Sequence, residues 1–272
     1  MSAPAINLDA YLARIGHTGP RDATLAILHA LQFRHVCTIP FENLDILLGR
    51  RIAIDFPSVE RKLVHDRRGG YCFEQNLLLC TALRALGFQV TTLAGRIRVG
   101  RQPDEPAGLT HMLLLVELGG RRYIADVGIG SWSLSAPLLL DTEEEQITPH
   151  EPRRILRQGD YFLQQVKLGT EWSDVVRFNL EPQHPIDYEL GNWFTCTHAQ
   201  SRFTQNLAVA RSAEGCRHTL LNREFTTRLP DGTAQKREIA DPDELLALLA
   251  ETFGLHFPPG TRFGPPGSPW PS

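Results

Sequence analysis

Three side chains in this sequence have the types and spacings of an activated thiol. The first is Cys72, within Arg67-Arg68-Gly69-Gly70-Tyr71-Cys72-Phe73-Glu74-Gln75-Asn76. Two glycines free the backbone just before it. The apolar run Leu77, Leu78, Leu79, Cys80, Ala82, Leu83 and Leu86 follows, and Gly87 stops it as a C′ glycine stops a helix. The spacing predicts a loop feeding a buried helix of about four turns, with Cys72 in or just before the first turn. Unpaired N–H groups and the positive end of the helix dipole lie there, and both favour a thiolate. Cys72 is therefore a candidate nucleophile. The plainer alternative is a buried structural cysteine.

His111 and Asp126 are the other two. They flank a hairpin: Thr110 to Leu118 and Arg121 to Val127 read as strands around Gly119-Gly120. A tight turn there sets Leu113 opposite Asp126. Opposed residues share a face, as do residues two apart on one strand, so His111 falls diagonal to Asp126. Diagonal neighbours are about 7–8 Å apart at the backbone and closer at the side chains. Either residue alone reads more plainly, His111 as a half-exposed strand start and Asp126 as a turn former. Aimed at each other behind a candidate nucleophile, they complete a Cys, base and orienting carboxylate.

The elements that must hold these groups read as helices first and strands afterwards. Leu8, Tyr11, Leu12 and Ile15 share a helical face, and Leu25, Leu28, Leu31 and Phe33 follow a candidate N-cap at Asp22. Pro40 breaks the helix and fixes an extended segment ahead of Phe41. Ser58 is a candidate cap for a short helix through Leu63 and Val64. Gln89 to Val99, Arg153 to Leu156, Tyr161 to Leu168 and Trp172 to Leu180 read as strands of an antiparallel barrel or sandwich. Pro185 to Ala199 reads as a helix, and Asn206 to Ala213 and Cys216 to Leu229 return to strand patterns. Asp231-Gly232 is a hairpin turn, and Asp241-Pro242-Asp243-Glu244 opens a last helix that runs to Gly254. A tail rich in proline and glycine begins at Pro258.

Composition narrows the classes. The hydrophobic content is 42% and the charged content 22%, ordinary for a globular protein. A net charge of -3 gives no reason to expect nucleic acid or an anionic membrane as partner. No apolar run approaches the roughly 20 residues that span a bilayer. The first seven residues lack a basic region and an apolar core of the secretory type. The five cysteines are scattered and form neither a disulfide framework nor a metal-type pair, so no metal is expected and a reducing cytoplasm is the simplest setting.

With these residues in view, the chain resembles the arylamine N-acetyltransferases. The strings that carry the resemblance are Ile39-Pro40-Phe41-Glu42-Asn43-Leu44, Arg68 to Asn76, Thr110-His111-Met112, Asp126-Val127-Gly128, and Asn192-Trp193-Phe194-Thr195 on to Phe203. The resemblance implies an α+β fold with a catalytic core like that of cysteine proteases and transglutaminases. In that reading, residues 1–88 form a helical bundle carrying the nucleophile. Residues 89–199 form an antiparallel β-barrel carrying the histidine and aspartate, and 200–272 an α/β lid with the proline-rich tail. It implies an acetyl group moved from acetyl-CoA to an aromatic amine or hydrazine by a ping-pong route. Cys72 is then the acetyl acceptor, His111 the base and Asp126 the orienting carboxylate. Phe41 and Phe203 become walls of the substrate pocket, and Gly128 to Gly130 the neighbour of the coenzyme A pyrophosphate. Ile129 stands where many relatives carry an aromatic, so that wall does not carry over. Two other readings use the same residues: a cysteine hydrolase or transglutaminase-like enzyme, and a silent ligand-binding protein.

Overall fold

The computed structural model describes residues 6–102 and 104–264. The last part of the proline-rich tail lies outside them, as do the first residues of the N-terminal segment. Helices α1 (Leu8–Arg14), α2 (Leu25–Thr38), α3 (Leu44–Leu47), α4 (Phe56–Glu60) and α5 (Cys72–Ala85) make the first region, with the short strand β1 (Phe41–Glu42) between α2 and α3. Strands β2 (Gln89–Ile97), β3 (His111–Leu118), β4 (Arg121–Ala125), β5 (Leu138–Leu139), β6 (Arg153–Gln158), β7 (Tyr161–Leu168) and β8 (Glu171–Phe178) follow. The chain ends with α6 (Pro185–Thr197), α7 (Arg202–Gln205), β9 (Ala208–Ala213), β10 (Cys216–Leu221), β11 (Glu224–Arg228), β12 (Ala234–Glu238) and α8 (Pro242–Phe253).

The middle strands form one antiparallel sheet in the order β5-β4-β3-β2-β8-β7-β6. Its two edges nearly meet, and Gln146 bridges them. The Gln146 side chain holds both backbone groups of Leu139 in β5, at 2.8 and 2.9 Å. Its own backbone exchanges two bonds with Arg153 at the start of β6. Of the two architectures the strand pattern allowed, the sheet is a near-closed barrel.

β3 is buried on both faces, which explains its nearly unbroken apolar sequence. Met112, Leu114 and Val116 join the helical core around Leu78, Leu79 and Leu83 of α5. The alternating Leu113 and Leu115 join the barrel core with Ile124 and Val176. The β3–β4 hairpin has the register expected of a tight turn, with Leu114 opposite Ala125 and Leu118 opposite Arg121. Both turn glycines have positive φ, +58° and +73°, as the mirror-image turn needs.

A second antiparallel sheet runs β1-β9-β10-β11-β12 and packs its own apolar cluster against α8. Its edge strand, β1, comes from the helical region. Three local expectations need correction. Thr24, not Asp22, caps α2, because its hydroxyl is the acceptor of Ile27 N–H. Asp55, not Ser58, caps α4: its carboxylate accepts Ser58 N–H at 3.0 Å, and Pro57 presets the first turn. α4 also stops at Glu60, and a π-helical turn (Arg61–His65) carries the chain on to Leu63 and Val64. The Cys216 to Leu229 stretch is a hairpin, turned at Asn222 with φ +53°.

Candidate active site

The start of α5 is built from both sides. Tyr71 N–H donates to the Glu74 carboxylate at 3.0 Å, so Glu74 caps the helix it belongs to. Its other oxygen accepts from Lys62, which also reaches Asp45 at 2.8 Å. Arg68 makes two bonds to Glu42 and one to Asp45. These charges sit under the loop and fix its path. Gly69 is required there, since a Cβ would lie 2.1 Å from the Pro40 carbonyl oxygen. Gln75 ties the helix to the same turn by donating to the Pro40 and Gly70 carbonyls, at 2.7 and 3.1 Å.

Cys72 is the first residue of α5 and is 5% exposed. Its sulfur lies 3.7 Å from the Thr110 carbonyl oxygen, at the mouth of β3. His111 opens β3 and is 2% exposed; Asp126 lies just past the end of β4 and is 1% exposed. The hairpin brings them together as its register requires: His111 Nε2 and Asp126 Oδ2 are 2.6 Å apart. With Nε2 committed to the carboxylate, Nδ1 is the ring nitrogen left for the thiol. Burial opposes the imidazolium. The Asp126 charge and hydrogen bond and the hydrogen bond to Cys72 outweigh it, pushing His111 up to about 10. That shift favours the protonated imidazole, which offers a counter-charge to a thiolate formed beside it.

Asn76, one turn after Cys72, locks the pair to the helix. Its Nδ2 donates to Asp126 Oδ1 at 2.9 Å and to the Met112 carbonyl at 2.7 Å. Its Oδ1 accepts Val127 N–H at 3.0 Å. Asp126 Oδ1 accepts Gly128 N–H as well, at 2.9 Å. One amide side chain thus sets nucleophile, base strand and carboxylate in register. Sequence reasoning placed Asn76 in the motif without giving it this role; its i+4 spacing from Cys72 was the available signal.

Gly128 owes its identity first to packing. A Cβ there would lie 2.6 Å from Cys72 Cα and 2.7 Å from Asn76 Nδ2. A Cβ on Gly130 would lie 3.4 Å from the Phe41 ring. Phe41 and Phe203 pack together with ring centroids 5.8 Å apart, and Phe203 meets Tyr71 at 6.0 Å. Asn43 holds this corner by donating to the Phe203 and Asn206 carbonyls at 2.8 and 2.7 Å. Ile129 packs against the barrel core. All seven residues expected from the sequence therefore converge on the start of α5.

This geometry has counterparts among known proteins. A family model described as N-acetyltransferase matches residues 24–261. The chain is 42% identical over 249 residues to the arylamine N-acetyltransferase of Escherichia coli K12, covering 91% of this chain and 88% of that one. It is 38% identical over 250 residues to a Salmonella typhimurium protein named arylamine N-acetyltransferase / N-hydroxyarylamine O-acetyltransferase, covering 91% and 88%. A solved Mycobacterium smegmatis arylamine N-acetyltransferase superposes with a TM-score of 0.88 at 37% identity, covering 92% of this chain and 93% of that one. The Mycobacterium marinum arylamine N-acetyltransferase solved in complex with CoA also gives 0.88, at 35% identity over 91% and 92%.

Proposed function

This chain belongs to the arylamine N-acetyltransferase family, and from that premise we propose that its coenzyme A-dependent transfer runs through an acetyl group held on Cys72. The observation that carries the reading is the buried Cys72–His111–Asp126 line: His111 Nε2 lies 2.6 Å from Asp126 Oδ2, and the Cys72 sulfur lies against the Thr110 carbonyl just before His111.

In the first half-reaction Cys72 Sγ attacks the thioester carbonyl of acetyl-CoA. The first-turn N–H groups of α5 face the oxygen that gains charge; losing one such donor costs about 10²–10³ in rate in a comparable site. The tetrahedral intermediate collapses, the carbon–sulfur bond to coenzyme A breaks, and His111 gives the departing thiolate its proton. Coenzyme A leaves and acetyl-Cys72 remains. In the second half-reaction the amine nitrogen of an aromatic amine or hydrazine attacks acetyl-Cys72. His111, now neutral, takes a proton from that nitrogen as Cys72 departs as thiolate. The N-acetylated product and the starting ion pair are restored. Asp126 keeps Nε2 protonated, so Nδ1 stays the working nitrogen.

Phe41 and Phe203 wall the substrate pocket in this reading, and the Gly128 to Gly130 segment neighbours the coenzyme A pyrophosphate. A cation near that segment supports it: the Arg228 guanidinium lies 4.8 Å from the centre of the Trp132 ring. A cytoplasmic setting agrees with the five free cysteines, and no helix among the described residues is long and apolar enough to cross a membrane. Mixing the protein with acetyl-CoA and no amine, then measuring intact mass and mapping the label, tests the proposal. One acetyl group on Cys72, discharged only on adding an arylamine, is the expected result. Label on Cys37, Cys80, Cys196 or Cys216, or discharge to water at the same rate without amine, would overturn it.

A further inference from the structure

Three buried polar side chains, one from each of three helices, form a line that ends two residues before Cys72. Tyr11 comes from α1, His35 from α2 and Gln75 from α5, and all three are fully buried. The Tyr11 hydroxyl lies 3.0 Å from His35 Nδ1, and His35 Nε2 lies 2.7 Å from Gln75 Oε1. Gln75 Nε2 then meets the carbonyls of Pro40 and Gly70, at 2.7 and 3.1 Å.

The carbonyl end of the line decides the direction of every bond. Backbone carbonyls only accept, so the Gln75 amide must turn its nitrogen to them and its oxygen to His35. That oxygen also only accepts, so the ring proton of His35 sits on Nε2. Nδ1 is left as an acceptor, and the Tyr11 hydroxyl donates to it. A buried network with its members satisfied in this way holds one arrangement. The two carbonyls belong to different segments. Gly70 lies in the loop that leads to Cys72, and Pro40 directly precedes Phe41. Gly70 N–H donates to the Pro40 carbonyl and Glu42 N–H to the Gly70 carbonyl, at 3.3 and 3.0 Å, so the segments run side by side. Gln75 ties them together.

The surroundings keep the ring of His35 neutral. Burial disfavours its imidazolium; the Gln75 bond works against burial, and the charge of Arg14 adds to it. The balance pushes His35 down to about 4, the opposite of His111. Arg14 itself donates to backbone carbonyls, those of Arg67 and Arg68 among them, and so braces the same loop.

We propose that His35 is a positioning residue for the acyl transfer: fixed as the Nε2–H tautomer, it orients the Gln75 amide that clamps the Phe41 segment to the Cys72 loop. The proposal rests on the reading of Cys72 as the acetyl acceptor. A misplacement of about 1 Å costs about 10²-fold in such reactions, and a loosened clamp should cost about 10-fold.

The test compares wild type with His35→Leu and His35→Gln, each checked by circular dichroism. The rate of acetyl-Cys72 formation from acetyl-CoA, read by intact mass, should fall about 10-fold in His35→Leu. His35→Gln still offers an N–H to Gln75 and should stay within about 3-fold of wild type. Stability gives a second readout. Unfolded, His35 takes a proton near the usual value of about 6.5; folded, it does so only near 4. Its contribution is therefore whole above the first value and lost as pH falls to the second. Urea unfolding at pH 7 and pH 4 should show a larger drop in wild type than in His35→Gln. His29, His150 and His218, also held down by burial, are common to both proteins and cancel. A folded His35→Leu labelled at the wild-type rate would overturn the proposal, as would a His35→Gln no faster than His35→Leu. If His35→Leu does not fold, equal drops in wild type and His35→Gln would overturn it. A wild type left unlabelled at Cys72 would overturn the parent reading, and the positioning role with it.

Discussion

Cys72 and Cys80 lie on the same helix, and both are sealed from water, at 5% and 1% exposed. At Cys80 the surroundings are apolar. Burial pushes that thiol up to about 11, and Arg84 relieves little of it. At Cys72 the helix has just begun, so unpaired N–H groups and the dipole face the sulfur, and the His111 imidazole, its pKa raised by Asp126, shares the space. Burial alone therefore does not decide what a thiol does. A partner able to hold the proton nearby does.

The largest effect should come from Cys72→Ser, which keeps the packing and replaces the thiolate by a group far harder to ionise. Turnover should drop by at least about 10³-fold, since removing a nucleophile of a comparable triad costs more than that. Arylamine acetylation, with circular dichroism to confirm the fold, measures it. A variant retaining a tenth of wild-type activity would place the acetyl group elsewhere.

Asp126→Asn comes next. It keeps the shape but offers a donor where His111 needs an acceptor, and in a serine-protease triad the same change costs about 10⁴ in kcat. A loss of about 10²–10³ is expected here, because a Cys–His pair forms partly on its own. The substitution also tests the proton. His111 is held above its usual value of about 6.5, so its charge contributes stability in full below that value. The contribution is lost as pH rises through about 10. Urea unfolding at pH 7 and pH 10.5 should show a drop in wild type and a smaller one in Asp126→Asn. Equal drops would detach the carboxylate from the imidazole.

Asn76→Ala should act more gently on chemistry and clearly on structure. It strips Val127 N–H of its partner and Asp126 of one of three donors, so about 1–3 kcal/mol of stability should go. Acetylation should fall by about 10-fold, roughly the value of one charge-assisted bond. Cys80→Ala should do least: unchanged acetyl labelling and a loss of about 1 kcal/mol from a small core cavity. A labelling defect in Cys80→Ala would erase the contrast between the two thiols.

These contrasts were unevenly visible in the sequence. The β3–β4 register was legible because Gly119-Gly120 admits few turns and the alternation does the rest. α5 was legible because glycines bracket an apolar run. Both are local rules. The role of Asn76 was not: its i+4 spacing from Cys72 puts it on the same helix face, but its partners Met112 and Asp126 lie in other segments of the chain. Nor was Gln146, whose bridging of β5 and β6 depends on the curvature of the whole sheet. Pro40 announced an extended segment at Phe41 but not its partner: Phe41 and Glu42 form a strand because β9 offers them an edge. At α4 two rules competed, and the carboxylate of Asp55 before Pro57 outbid the hydroxyl of Ser58.

That edge pairing has a consequence for how the molecule is made. Phe41 and Glu42 pair with Ala210 and Val209, from nearly opposite ends of the chain. Glu42 N–H also bonds the Gly70 carbonyl, so the same two residues brace the loop before Cys72. A nascent chain cannot complete this arrangement when its helices emerge. At translation rates of about 5–20 residues per second it waits on the order of ten seconds for β9. During that wait the brace is paired on one side only, and the loop carrying the nucleophile lacks half of its support. A chain cut short before β9 would hold every residue of the triad without the strand that steadies them. Arrival of β9 is thus coupled to completion of the brace beneath the loop that carries Cys72.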